Sequence, residues 1–143
     1  MSENSIPKIN GILETALYVD DVEAAARWYQ DIFGFAKLFN DGRLIALDIA
    51  PHSVLLLFKK GASDGPNPSP GGVIPAHDGS GKLHFAFSIS AEELGAWRTH
   101  LERNDVPIEA EITPPQGGYS LYFRDLDRNL VELATPGLWE NDK

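Results

Sequence analysis

Two stretches of the chain alternate apolar and polar positions in the same way. Ile12–Asp20 (Ile-Leu-Glu-Thr-Ala-Leu-Tyr-Val-Asp) and Lys82–Ser90 (Lys-Leu-His-Phe-Ala-Phe-Ser-Ile-Ser) are both rich in β-branched and aromatic residues. Each closes on an acceptor side chain able to start a helix, so each predicts a strand leading into a helix. Superposed, Glu14 falls on His84, Asp20 on Ser90 and Glu23 on Glu93, all at a spacing of 70 residues. The capping-box patterns Asp-x-x-Glu and Ser-x-x-Glu therefore follow two equivalent strands, each with a metal-capable side chain at the same place. The pattern is that of a duplicated module.

The remaining periodicity completes the two copies. A helix is predicted from Asp21 to Phe33, with Val22, Ala25, Ala26, Tyr29, Ile32 and Phe33 on one face and Gly34 as its stop. Phe35–Phe39 and Arg43–Ile49 read as a hairpin across Asn40-Asp41-Gly42, and Val54–Phe58 as a fourth strand. After a Gly/Pro-rich connection the order repeats: strand Leu83–Ile89, helix Ala91–Arg103, strands Ile108–Ile112, Tyr119–Arg124 and Leu130–Ala134. The predicted class is α+β, with two βαβββ modules in tandem forming an open, curved, mixed sheet around a concave site. The divisions are an N-terminal arm (1–10), a first module (11–60), an inter-module loop (61–81), a second module (82–137) and a C-terminal tail (138–143). Leu138 and Trp139 of the tail are expected to pack back on the body.

Aligning the strand ends at Gly61 and Gly137 sets Leu56 opposite Glu132. Strand parity then puts Glu14, His84 and Glu132 away from the faces that the helices cover, on the concave side. Three of the four paired positions hold metal-capable residues, and the fourth is Leu56.

Composition narrows the function. With 143 residues, 43% hydrophobic and 10% aromatic, the chain can bury a core without staples. There are no cysteines, which excludes disulfides, thiolate metal sites and cysteine nucleophiles. A formal charge of −9 argues against nucleic acid, which needs a basic face. An anionic substrate would have to be held by local cations such as Arg43, Lys59 or Arg124. No run reaches transmembrane length and Met1–Asn10 is mostly polar, so no membrane is expected and the expected location is cytoplasmic.

Glu14–Asp21 followed by a Trp28-Tyr29 helix and Phe33-Gly34-Phe35 resembles the opening of the vicinal oxygen chelate superfamily. That group includes lactoylglutathione lyase, fosfomycin-resistance thiol transferases, extradiol dioxygenases and bleomycin-binding proteins. Leu83–Phe87 resembles its second-module strand and Tyr122–Leu133 its closing hairpin, so the likeness covers residues 11–137. The resemblance implies a divalent metal (Mn, Fe, Mg, Zn, Ni or Co) held by Glu14, His84 and Glu132, and a homodimer. Glu14 departs from the histidine usual at the first ligand position, and Leu56 from the fourth ligand of lactoylglutathione lyase. Leu126 and Arg128 replace the usual Pro and Gly of the closing turn, which predicts either a less favourable backbone at Arg128 or a different turn.

One His and two carboxylates leave open positions on an octahedral ion, suited to chelating two adjacent oxygens of a small-molecule substrate. Oxygen-rich ligation suits Mn²⁺, Fe²⁺ or Mg²⁺ better than a structural zinc site. Glu132, Tyr122 and Arg124 are the candidate catalytic groups. Tyr122 shares a face with Ser120 and Arg124, where a substrate hydrogen bond and a half-buried aromatic are both open readings. His77 and Asp78 in the long loop are candidates to close over the site, while His52 and His100 carry no assigned role. Two functions follow: a metal-dependent lyase, transferase or dioxygenase, or a metal-free, bleomycin-resistance-like protein that sequesters a ligand in the groove.

Overall fold

A computed structural model describes residues 5–143. The elements run β1 (Glu14–Val19), α1 (Val22–Phe33), β2 (Ala36–Asn40), β3 (Leu44–Ala50), β4 (Ser53–Lys59), β5 (Asn67–Ser69) and β6 (Gly72–Ile74). They continue with β7 (His84–Ser88), a 3₁₀ turn (Ala91–Glu93), α2 (Leu94–Arg103), β8 (Ala110–Ile112), β9 (Ser120–Arg124) and β10 (Leu130–Ala134). The result is α+β, with two open four-stranded sheets ordered β1-β4-β3-β2 and β7-β10-β9-β8. No helix among the described residues is long and apolar enough to cross a membrane.

The ladder registers reproduce the duplication. β1 runs parallel to β4 with Ala16 beside Leu56, and β7 runs parallel to β10 with Ala86 beside Glu132. Leu56 and Glu132 thus occupy equivalent places in the two sheets.

Helix α1 forms because Val22, Ala25, Ala26, Tyr29 and Ile32 make a buried stripe at helical spacing. Its cap is one residue later than the sequence pattern places it: the Asp21 carboxylate accepts from the Ala24 N–H, at 3.1 Å. Asp20 instead donates its N–H to Asp127 and pairs with Lys60. Gly34 ends the helix in the left-handed conformation, at φ 75°. Ser90 makes no side-chain cap, and the second helix starts as a 3₁₀ turn before continuing as α2.

One core joins both modules. Leu17, Val19, Tyr29, Leu55 and Leu57 from the first meet Leu101, Phe123, Val131 and Leu133 from the second. Each fully buried leucine contributes about 1.5–3 kcal/mol. Phe33 lies at the seam, its ring 5.1 Å from Phe35, 5.0 Å from Phe87 and 5.4 Å from Trp97. Tyr29 lies in this core and Trp28 and Trp97 pack against it. His100, on α2, donates Nε2–H to the Ile32 carbonyl at 2.7 Å and so ties the helices together.

Two segments differ from expectation. The inter-module loop contains a small hairpin, β5–β6, that no apolar alternation announces. Trp139 is 67% exposed rather than packed back, although the tail is anchored where Gly137 passes the Gly117-Gly118 backbone. Of the N-terminal arm, residues 1–4 lie outside the described residues; beyond them Ile6, Ile9 and Ile12 are exposed.

Candidate functional site

Alternation along β10 turns Val131 and Leu133 into the core, and Glu132 points the other way yet stays only 4% exposed. A buried carboxylate is costly unless its oxygens are satisfied. Both have partners. Ser120, across the sheet on β9, donates its hydroxyl to Oε2 at 2.6 Å, and Oε1 lies 3.3 Å from His84 Nε2.

His84 opens β7 and is oriented by β10. Its Nδ1 lies 2.9 Å from the Leu130 carbonyl. A carbonyl only accepts, so Nδ1 carries the hydrogen and the Nε2 lone pair faces the carboxylate. Two acceptors opposed in this way need a proton or a cation between them. The half-site therefore fits a divalent ion, and a backbone-oriented imidazole beside a hydrogen-bonded carboxylate is the usual support for such a ligand pair.

Tyr122 stands directly across from Glu132 in the ladder, its ring 6.2 Å from that of His84. Burial raises its pKa above the ordinary phenol value, and the Glu132 charge adds to the effect. Tyr122 thus keeps its O–H donor at neutral pH. A cavity of about 370 Å³ lies beside His84 and Glu132, and Leu138, Trp139 and Asp142 of the tail also line it.

The third expected ligand is elsewhere. Glu14 begins β1 in the other sheet, beside Val54, and is exposed. Among the described residues no group of three or more His, Cys, Asp or Glu gathers. Arg124 is engaged by Glu109, with Nη2 donating at 3.0 Å, and donates Nη1–H to the Arg128 carbonyl. Arg43 donates to Ser63 and lies 3.8 Å from Asp41.

The Glu14 face has its own closure. Tyr18 shares that face, and its hydroxyl is 2.8 Å from His77 Nδ1 in the inter-module loop. His77 also packs edge-on against Phe58, at 4.5 Å. Gly79 permits this fold-back, because a Cβ there would meet the Tyr18 ring at 2.4 Å. The loop thus covers the far end of the β1–β4 face, while Glu14 stays open at the near end. Ser120 and Tyr18 are the residues that sequence reasoning left without a role. Their signal was parity: Ser120 shares a face with Tyr122, and Tyr18 with Glu14.

The sequence matches the family model described as Glyoxalase/Bleomycin resistance protein/Dioxygenase superfamily over residues 11–133. Among solved structures, a lactoylglutathione lyase from Agrobacterium tumefaciens is 34% identical, with a TM-score of 0.84 over 94% of this chain and 99% of that one. A genomically encoded fosfomycin resistance protein from Listeria monocytogenes is 22% identical, with a TM-score of 0.66 over 92% and 97%. A glyoxalase/dioxygenase from Nostoc punctiforme is 23% identical, with a TM-score of 0.65 over 94% and 98%. The last two likenesses concern the fold alone.

Proposed function

The chain belongs to the glyoxalase/bleomycin resistance protein/dioxygenase superfamily, and from that premise we propose that it is a divalent-metal-dependent enzyme. Its substrate is a small oxygen-bearing metabolite or xenobiotic that chelates through two adjacent oxygens. The observation that carries the reading is the opposition of His84 Nε2 and Glu132 Oε1, at 3.3 Å, with each side chain oriented from behind.

His84 and Glu132 are two ligands, and Glu14 of the partner subunit is the third. Among the described residues β1 and β7 each stand at the edge of a sheet, with one side of the strand unpaired. Open edges are templates for pairing with another chain. A homodimer that sets β1 of one protomer beside β7 of the other brings the open end of Glu14 toward the His84–Glu132 pair. When bound, the ion polarises the chelated oxygens and stabilises negative charge as it develops on them. Around it, the Tyr122 hydroxyl donates to a substrate oxygen and Glu132 serves as the single carboxylate base.

That single base bears on the reaction class. The Agrobacterium relative carries the name lactoylglutathione lyase, so lactoylglutathione is the first compound to assay. A lyase moving a proton between two carbons uses a base on each side, however, and the position equivalent to Glu132 is Leu56. Addition to, or oxidation of, a chelated substrate fits one carboxylate better, as in thiol transferases and dioxygenases.

The test is metal analysis of the purified protein beside His84→Ala and Glu132→Ala, after chelation and reloading with Mn²⁺ or Co²⁺. The expected result is near-stoichiometric metal that both substitutions abolish. No uptake under any loading would replace this reading by the second, a metal-free ligand-binding protein. That alternative is favoured only in that His84 and Glu132 also satisfy one another as a protonated ion pair.

A further inference from the structure

We propose that Ser120 is the positioning residue of the site. Its hydroxyl pins one oxygen of Glu132, so the carboxylate meets a metal through the other oxygen alone. The inference rests on the metal reading above and deepens it. Ser120 is 1% exposed and its Oγ stands 2.6 Å from Oε2, while Oε1 is the oxygen turned to His84. The two oxygens of one carboxylate thus have different tasks, and the difference is set by strand register. Ser120 pairs with Ala134 on β10, two residues beyond Glu132, so it reaches the carboxylate diagonally. Tyr122, directly opposite Glu132, stands within hydrogen-bond reach of the same carboxylate and of Ser120.

A serine hydroxyl has one hydrogen, and here it is spent on Oε2. That bond takes up one lone pair of Oε2 and so would favour a grip on an ion through Oε1 over one through both oxygens. It also fixes the carboxylate plane, which a buried side chain on a strand does not otherwise guarantee. Partners of this kind typically govern metal affinity by about 10–100-fold.

The experiment is a Co²⁺ titration followed by visible absorption, on the full-length protein and on Ser120→Ala and Ser120→Thr, with melting of the metal-free proteins measured alongside. Ser120→Ala is expected to weaken Co²⁺ binding by about 10–100-fold and to change the Co²⁺ absorption band. Ser120→Thr, which keeps the donor, is expected to retain both. Should Ser120→Ala fail to fold, Ser120→Val, the shape of threonine without the hydroxyl, carries the same expectation. Unchanged affinity and spectrum in Ser120→Ala would overturn the inference. So would a Ser120→Thr protein as defective as Ser120→Ala, since packing would then explain the loss. A wild-type protein that takes up no Co²⁺ overturns the metal reading itself and this inference with it.

Discussion

Tyr29, on the first helix, donates its hydroxyl to Asp125 Oδ2 in the turn between β9 and β10, at 2.7 Å and out of contact with solvent. The bond ties one module to the other. Asp125 also accepts from the N–H groups of Asp127 and Asn129 and from Asn129 Nδ2, so the turn that starts β10 is organised around one carboxylate. Burial, followed by the Asp125 charge, raises the Tyr29 pKa well above its ordinary value, and the phenol stays a donor throughout the accessible range.

Tyr29→Phe removes this bond and little else. A hydrogen bond to a charged acceptor is worth about 1.5–3 kcal/mol, and a loss of about 2 kcal/mol is expected in urea denaturation. Asp125 keeps its three local donors in the variant, so a loss below about 0.5 kcal/mol would mean that the tie contributes nothing across the seam.

Much of this fold was legible because both modules obey short-range rules. The β1 and β7 alternations, the α1 stripe and Gly34 are local, and they predict elements within a residue or two of those found. The equivalence of Leu56 and Glu132 followed from counting, since parallel pairing preserves spacing between copies. What escaped depends on distant partners. The cap falls on Asp21 because Asp20 is drawn to Asp127 and Lys60. The β5–β6 hairpin has too few side chains facing a core to leave a periodic trace. Parity placed Glu14 on the same kind of face as His84 and Glu132 but could not say that the two faces belong to separate sheets.

Arg128 adopts φ 69°, the left-handed region, where the turn's more usual residue is glycine. Side chains pay about 1–2 kcal/mol there, against which glycine loses part of the gain to its freer unfolded state. Arg128→Gly is expected to stabilise by about 0.5–1 kcal/mol. The Arg124 contact survives, since it is made to the residue 128 carbonyl. A melting temperature at or below the wild-type value would contradict this account of the turn.

Asp127 supplies a pH signature. Burial raises its pKa above the ordinary value of 3.8, with Asp125 and Asp20 adding to the effect against the Asp20 N–H and Lys60. The folded protein therefore binds this proton more tightly than the unfolded chain. Stability is helped below the ordinary value and lost as pH rises through the raised one. Asp127→Asn keeps an oxygen for the Asp20 N–H and removes the charge. It is expected to stabilise at pH 7 by about 0.5 kcal/mol or less, the group being partly exposed, and to lose that advantage below about pH 4. An advantage that grew on acidification would reverse the sign.

The shared-site dimer makes a prediction that a site within one chain does not. Glu14→Ala and His84→Ala each abolish metal binding if both residues are ligands. In a heterodimer of the two variants, a shared arrangement puts both defects into one site. The other site receives Glu14 from the His84→Ala protomer and His84 with Glu132 from the Glu14→Ala protomer, and is whole. After unfolding and refolding together, about half of the dimers are mixed and each has one intact site of two, so about a quarter of the wild-type metal content returns. If all three ligands came from one chain, every site in the mixture would carry a defect and nothing would return. A mixture still empty, made from variants that separately form dimers, would therefore place Glu14 outside the shared site. The exposure of Glu14 at the open edge of β1 favours recovery.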